Sequence, residues 1–532
     1  MSAPFGSRPC SMPARLAVWS DLHRRMLGWG QGTVRSQTRP PVCRWAGSKT
    51  NEATVNRRLA CTWLTATPEQ LTPDDILSRI PVAAPDAIDY TPIFLLTPAF
   101  ARWADAQSSF VEQCLVRFFR NALDHPSQSH IHAVTAIIDR LPYPLQSGNT
   151  SNHATEAEGV SILLAKGKNI QAKAAAPRAI RSLEIEEPTL LFSIRKGLDD
   201  SQDVRQPTHE IGLRLANTIF LNGRENTLFG ARWAYDASSR GLKLDAWADL
   251  SACSVAEHSN QICSSLELPL HPVGERRKVM SSMGNILRQI AKHADGKSDE
   301  PMPASSELEK ELPKYIAEND IADQRVSVWA LIEKSSESFY TKATHSQGSL
   351  AEAIQAGATL HRVMSGGGGW GKKQGLLSLD PELSFKQRGD EGLKPLHKVL
   401  SPDNQDSAFG GVSSPEELTF MQDLSTLSQA AEPGDYVQFF ASVAEPEPRT
   451  NSSTASDHSE ESVSCSFGIM SDADSVSNET GEHKDMTVVP NYFGALSGKA
   501  ITYLQPLRGS QSDASGSRTK IDVPGSRVSL RL

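Results

Sequence analysis

The chain has 532 residues, 39% of them hydrophobic and 22% charged, and a formal net charge of −8. That is ordinary globular usage, and a length beyond about 250–300 residues favours two packed domains with tails over one core. No apolar run approaches the roughly 20 residues of a membrane helix, which excludes a helical span and points to a soluble chain. Seven cysteines, odd in number and widely spaced, exclude a disulfide framework and a zinc pattern.

The charge is unevenly placed. Residues 1–58 hold ten basic side chains against Asp21 and Glu52, a charge of +8, so the remainder carries −16. An arginine-rich, acid-poor leader without a secretory apolar core reads as a mitochondrial presequence, with the matrix as destination. Within it Leu16, Trp19, Leu22, Met26 and Leu27 recur at helical intervals beside Arg15, Arg24 and Arg25. Cleavage after Trp45 or after Leu59 fits equally. The competing reading is a basic arm touching nucleic acid or anionic lipid.

The clearest supersecondary signal spans residues 92–139: a buried strand at 93–96, a helix at 110–123 with Val111, Cys114, Leu115, Phe118, Phe119 and Ala122 on one stripe, and a strand at 130–139. This is a βαβ unit with a parallel pair. Further strands are expected at 159–165, 189–194, 218–221, 242–247 and 264–273, with surface loops at 146–155 and 166–177. A helix is expected at 277–293, its apolar face Met280, Met283, Ile286, Leu287 and Ile290, its other faces basic through Arg276, Arg277, Lys278, Arg288 and Lys292. Residues 295–313 read as a domain boundary. Beyond it come strands at 326–332 and 359–364, a short helix at 350–356, and strands at 436–443, 465–470 and 488–496. Phe467-Gly468-Ile469-Met470-Ser471 is echoed by Phe493-Gly494-Ala495-Leu496-Ser497. The fold class expected is therefore α/β or α+β, mixed sheets with packed helices, in two domains plus disordered tails. The divisions are a presequence at 1–59, an N-terminal α/β domain at 60–300, a C-terminal α+β domain at 301–507 with a disordered insert at 445–461, and a disordered tail at 508–532.

The most distinctive run is Gly366, Gly367, Gly368, Gly369, Trp370, Gly371, Lys372 and Lys373. Glycine lets backbone amides approach a ligand, while the tryptophan offers a flat face and the lysines charge. The phosphate-loop pattern G-x-x-x-x-G-K-[ST] fits through Gly366, Gly371 and Lys372, but Lys373 replaces the hydroxyl that would ligate Mg²⁺. A standard P-loop ATPase is thereby rejected. What remains is an anion-binding loop, set against a tight turn in which Trp370 packs inward. His130 and His132 lie two apart on a strand and share a face, without a visible third metal ligand. No metal site is assigned, and nothing in the residues names a cofactor.

The order of the strand at 92–96, its following helix, residues 130–142 and Glu158-Gly159-Val160-Ser161-Ile162-Leu163 resembles fungal proteins related to FIST domains. Residues 365–373 with Leu376-Leu377-Ser378-Leu379-Asp380-Pro381 resemble a segment of a family of fungal mitochondrial proteins. The likeness spans roughly residues 90–504 and implies small-ligand sensing or signalling. Arg140-Leu141-Pro142 stands where bacterial members have a glycine-containing turn. The function expected is a mitochondrial sensor or assembly factor binding a small anionic ligand at Gly366–Lys373, with protein partners open. An enzyme holding a phosphate-bearing substrate or cofactor on the same loop is the first alternative. An RNA- or ribosome-associated protein using the basic helix is the second, disfavoured by the acidic body.

Overall fold

The computed structural model describes residues 59–80, 89–120, 130–144, 156–176, 187–197, 208–236, 238, 241–294, 299–319, 321, 326–335, 347–366, 375–385, 392–401, 429–442, 462–471, 486–507 and 516–532. Residues 1–58 of the expected presequence and the insert at 445–461 lie outside them, while Leu59 opens the first strand. In chain order the strands begin with β1 (Leu59–Thr65), β2 (Tyr90–Leu96), β3 (His130–Ile137), β4 (Leu141–Pro142), β5 (Glu156–Lys166), β6 (Ile170–Ala174), β7 (Thr189–Lys196), β8 (Thr208–Arg214), β9 (Leu228–Asp236) and β10 (Gly241–Ser259). There follow β11 (Cys263–Glu267), β12 (His271–Met283), β13 (Ile286–Ala291), β14 (Pro301–Pro303), β15 (Ser327–Glu333), β16 (Thr359–Gly366), β17 (Leu377–Leu379), β18 (Lys394–Pro395) and β19 (Tyr436–Ser442). The last are β20 (Ser464–Ile469), β21 (Thr487–Pro490), β22 (Tyr492–Ser497), β23 (Ile501–Gln505), β24 (Ser517–Ile521) and β25 (Arg527–Arg531).

These strands make three sheets. The largest runs β21-β1-β5-β2-β3-β9-β10-β7-β8-β23-β24, with β4, β6 and β18 attached off that path. A smaller sheet runs β11-β25-β20-β22. The third runs β12-β19-β15-β16-β17-β13 and closes on itself, because β13 also pairs with β12; β14 pairs with residues 289–291 of β13, beyond the two that meet β17. The result is a six-stranded antiparallel barrel.

The βαβ unit stands as read. β2 and β3 are parallel, Ile93 opposite Val134 and Leu96 opposite Ile137, and the helix Phe110–Phe118 lies between them in sequence. β2 is an unbroken apolar run because both faces are covered. Phe94 and Leu96 join a core with the helix, whereas Ile93 and Leu95 join the larger core on the opposite face. That larger core also receives the inner face of the small sheet, where Phe192 of β7 meets Phe467 at 5.3 Å and Phe493 at 5.9 Å. A third core fills the barrel with Val279, Leu287, Ile290, Ala330, Leu377, Leu379 and Phe439.

The expected α/β or α+β class is corrected: the described chain is mainly β, with a closed barrel and large sheets, and its helices are few and peripheral. The helix expected at 277–293 is the β12–β13 hairpin, turning at Gly284 with φ 59°. Ser281, Ser282, Gly284 and Asn285 are poor helix formers, and burial of Val279, Leu287 and Ile290 inside the barrel on two paired strands outweighs the helical stripe. Met283, placed on that stripe, is 61% exposed. Residues 218–221 form a helical turn, Ile219–Asn222, and the supposed surface loop at 166–177 contains β6 with Ile170 and Ala172 buried. The boundary at 295–313 is instead β14 and the helix Ser305–Glu318, and Cys43–Leu532 form one compact unit. Strands from both proposed domains share the largest sheet, so no division falls near residue 300.

The tail expected to be disordered from 508 contains β24 and β25. Val528 and Leu530 alternate with Ser529 and are buried, a period-two pattern that ties the chain end to β20 and β11. The two echoed segments are neighbours: β20 and β22 pair in parallel, Phe467 opposite Ala495. Their glycines admit close backbones, since a Cβ on Gly468 would lie 2.1 Å from the Ser526 carbonyl oxygen and one on Gly494 2.4 Å from that of Ser466. No helix among the described residues is long and apolar enough to cross a membrane.

Gly159 of β5 is packed the same way, and a Cβ there would stand 1.9 Å from the Trp63 carbonyl oxygen across the β1–β5 ladder. Gly159→Ala is therefore expected to destabilise the chain by about 3 kcal/mol or more through forced strand separation. Urea unfolding followed by tryptophan fluorescence measures it, and a loss below about 1 kcal/mol contradicts the close packing.

Candidate functional site

Gly366 is the last residue of β16 and pairs with Leu377 of β17. The two barrel strands are thus the stems of the glycine-rich segment. A Cβ on Gly366 would lie 2.2 Å from Leu377 Cδ2, so the first glycine of the run is required by packing between the stems. At the other stem Gly375 has φ 86° and its Cα faces Pro303, 2.8 Å from where a Cβ would stand. Gly367, Gly368, Gly369, Trp370, Gly371, Lys372 and Lys373 lie outside the described residues.

The second stem is seated on the helix Ser305–Glu318, because the Ser305 N–H donates to the Gly375 carbonyl at 3.2 Å. The first turn of this 14-residue helix is itself pinned to β12. Glu307, 2% exposed, accepts from the Glu275 N–H at 3.0 Å, at a bulge where Gly274 leaves room for its carboxylate. Arg277, 8% exposed, places Nε 2.9 Å from Glu307 Oε2. The angle leaves that N–H short of a proper hydrogen bond, so the contact is an ion pair. The guanidinium also donates to the Lys292 carbonyl at 2.6 Å. A buried carboxylate and guanidinium therefore fix the helix start beside the loop stem.

This geometry removes the basic helix on which an RNA-binding reading rested. Arg276 stacks on Tyr436, 3.7 Å from the ring centroid, and pairs with Glu333; Arg277 is buried; Lys278 pairs with Asp299 at 3.0 Å and Lys292 with Glu300 at 2.6 Å. Four of the five basic residues thus have carboxylate partners, and none of the five lies on a helix.

Past the loop, β17 leads into a charged cluster that sequence inspection missed. Lys520 of β24 donates to Asp380 and to Glu382, each at 2.7 Å. Burial lowers the Lys520 pKa, but the hydrogen bonds to these two carboxylates outweigh it and hold the group charged. Arg214 reaches Glu382 at 3.3 Å and lies 4.2 Å over the Phe385 ring. Trp329 Nε1 donates to Asp522 at 2.6 Å, and burial pushes the Asp522 carboxyl up. The available signal was Asp380-Pro381-Glu382 directly after an apolar strand, but its cation lies 138 residues away from Glu382 in sequence.

A second polar cluster collects at the carboxyl ends of the parallel strands β2 and β3, where ligands bind in many open α/β sheets. Thr97 Oγ1 accepts from the Gly159 N–H at 2.9 Å, Asp139 accepts from the Gly498 N–H at 2.7 Å, and Arg140 pairs with Glu158. Burial raises the Asp139 pKa. Arg140 is followed directly by β4, so the turn residues of the resemblance serve here to start a short strand pairing with β5.

His130 and His132 do share a face of β3 and point toward the larger core side, with Asp245 3.6 Å from His130 Nε2. Among the described residues no group of three His, Cys, Asp or Glu side chains is placed to hold a metal ion. Cys114 and Cys253 are buried thiols whose pKa burial raises, the latter to about 12, which makes them poor nucleophiles.

Comparison with models of known families, with curated proteins and with solved structures finds no match.

Two measurements test this geometry. Glu307→Gln leaves a buried guanidinium with only the exposed Glu275, 3.4 Å away, as counter-charge and is expected to cost about 3 kcal/mol. Adding Arg277→Met should restore a substantial part of the loss in a double-mutant cycle, whereas additive losses would show the two groups act separately. Burial drives His132 and His209 from 6.5 down to about 4, and the unfolded chain protonates near the ordinary value. The unfolded state then binds more protons between pH 6.5 and 4, so the stability is complete above about 6.5 and lost as pH falls toward 4. The unfolding free energy from urea titrations should fall through that window by of order 2–3 kcal/mol per histidine, less in His209→Gln; a slope unchanged in that variant contradicts the assignment.

Proposed function

We propose that the protein is a mitochondrial small-ligand-binding sensor or assembly factor that holds an anionic ligand at Gly366–Lys373. The observation that carries this reading is the seat of the loop: Ser305 at the start of a 14-residue helix donates to the Gly375 carbonyl, on the rim of a closed barrel. Helix starts present amides and a partial positive charge, and the loop adds Lys372, Lys373 and the ring of Trp370. Rigid stems reduce the ordering that binding must supply, so the loop's own glycines are the main segment to be fixed by a ligand. The barrel interior is filled by side chains, which leaves the rim as the place where a ligand meets this half of the chain. The arginine-rich, acid-poor leader supports import into the matrix.

The test is thermal melting of residues 60–532 against nucleotides, coenzyme A esters and organic acids. A ligand at 100 times its Kd stabilises by about 2.7 kcal/mol, a readily measured rise in Tm. The rise is expected to vanish in Lys372→Ala/Lys373→Ala, whose unliganded melt stays unchanged. A flat panel with a cooperative melt, or a shift indifferent to both lysines, refutes the loop as the site.

A further inference from the structure

Residues 392–401 form a short strap across the largest sheet. Its β18 pairs with β6, Lys394 opposite Ala172 and Pro395 opposite Gln171, and the helical turn Leu396–Val399 follows. Leu396 and Leu400 are buried in the larger core. The seat of Leu396 is Gly230 of β9, where a Cβ would lie 3.2 Å from Leu396 Cδ1. Two residues further along β9, on the same face, stands Arg232, and its partner across the ladder is His132 of β3. The strap therefore carries His397 up to the His132–Arg232 pair.

His132 has its Nε2 shut away from solvent with no hydrogen-bond partner among the described residues. The charged or chargeable groups that reach it are His130 on its own strand, Arg232 on β9 and His397 on the strap. Asp245 is engaged by Arg232 at 2.6 Å and lies 3.6 Å from His130. Asp245 thus lies against His130 and Arg232, and a proton added to His132 meets the like charge of Arg232 and of any protonated His397 or His130. A metal bridge is not offered as the alternative, since the described residues assemble no such ligand set here.

We propose that the strap is an acid-released clip, held down while His132 is neutral and lifted from β6 and β9 when protonation of the histidine cluster sets it against Arg232 and His397. Lifting uncovers Gly230 and the apolar seat of Leu396 and Leu400. Burial is the main reason His132 resists protonation, with Arg232, His397 and His130 adding to it, so release is expected as pH falls from about 6.5 toward 4. This device is independent of the glycine-rich loop and stands or falls without it.

Hydrogen exchange with mass spectrometry on the full chain tests it, with protection compared after correction for the intrinsic rate at each pH. In the wild type, peptides covering 392–401 are expected to lose at least about tenfold of their protection between pH 7.5 and pH 5 while β2 and β3 keep theirs. His132→Gln and His397→Gln should each hold the strap protected at pH 5. Simultaneous loss of protection in the strap and β3 would mean general acid unfolding and overturn the clip. So would release of the strap in His397→Gln at the wild-type pH, a variant that changes an exposed side chain and carries the test alone if His132→Gln fails to fold.

Discussion

Closure of β13 onto β12 is the constraint on which the rest of the molecule hangs. It turns six short strands into a ring whose backbone groups are paired all round, so the barrel has no edge of its own to protect. Closure also sorts side chains by alternation. Val328, Ala330 and Ile332 of β15 fill the barrel, while Trp329 and Leu331 between them enter the core shared with the largest sheet. Phe439 and Phe440 of β19 divide in the same way. These wall strands are consequently buried on both faces, and each large side chain so covered contributes about 1.5–3 kcal/mol.

The barrel is joined to the sheet by polar contacts as well. Trp329 donates to Asp522, just past β24, and Lys520 within β24 gathers Asp380 and Glu382 from the segment after β17. One segment of the barrel thus supplies both a loop stem and an anchor on the largest sheet. Small displacements at the stem are resisted by the ring, by the buried Arg277–Glu307 pair beneath the helix start, and by this charged junction. The stems are thus firmly held, whereas the strap at 392–401, whose leucines enter the same core as Trp329 and Leu331, is held by two leucines and a two-residue ladder. Elements with few contacts are where local opening is least costly.

Much of the local order was legible. The parallel β2–β3 pair and its helix, the strands at 326–332 and 436–443, and the shared face of His130 and His132 all follow from periodicity and short-range sterics. The errors cluster where two periods fit one stretch. Met280, Met283, Ile286, Leu287 and Ile290 satisfy a helix, yet the same stretch also folds as two strands about a turn at Gly284, and only a closing barrel chooses between them. Of the candidate loop, Gly366 proves to be a packing glycine against Leu377, a role invisible without the neighbouring strand. The cluster around Lys520 was illegible because its cation and carboxylates are far apart in sequence and meet only through the junction of barrel and sheet.

By itself the sequence determined which segments are apolar enough to be strands, where glycine permits a turn, how charge is distributed along the chain, and that none of its apolar runs is long enough for a helical membrane span. Those are properties of a residue and its near neighbours, set by sterics, solvation and charge. Strand partners, the closure of the barrel, the order of the chain's last two strands and every long-range ion pair were decided by tertiary structure. Pairing energy is similar for many strand combinations, and what selects one is the simultaneous burial of both faces and the satisfaction of buried charges, conditions that exist only once the whole chain is assembled.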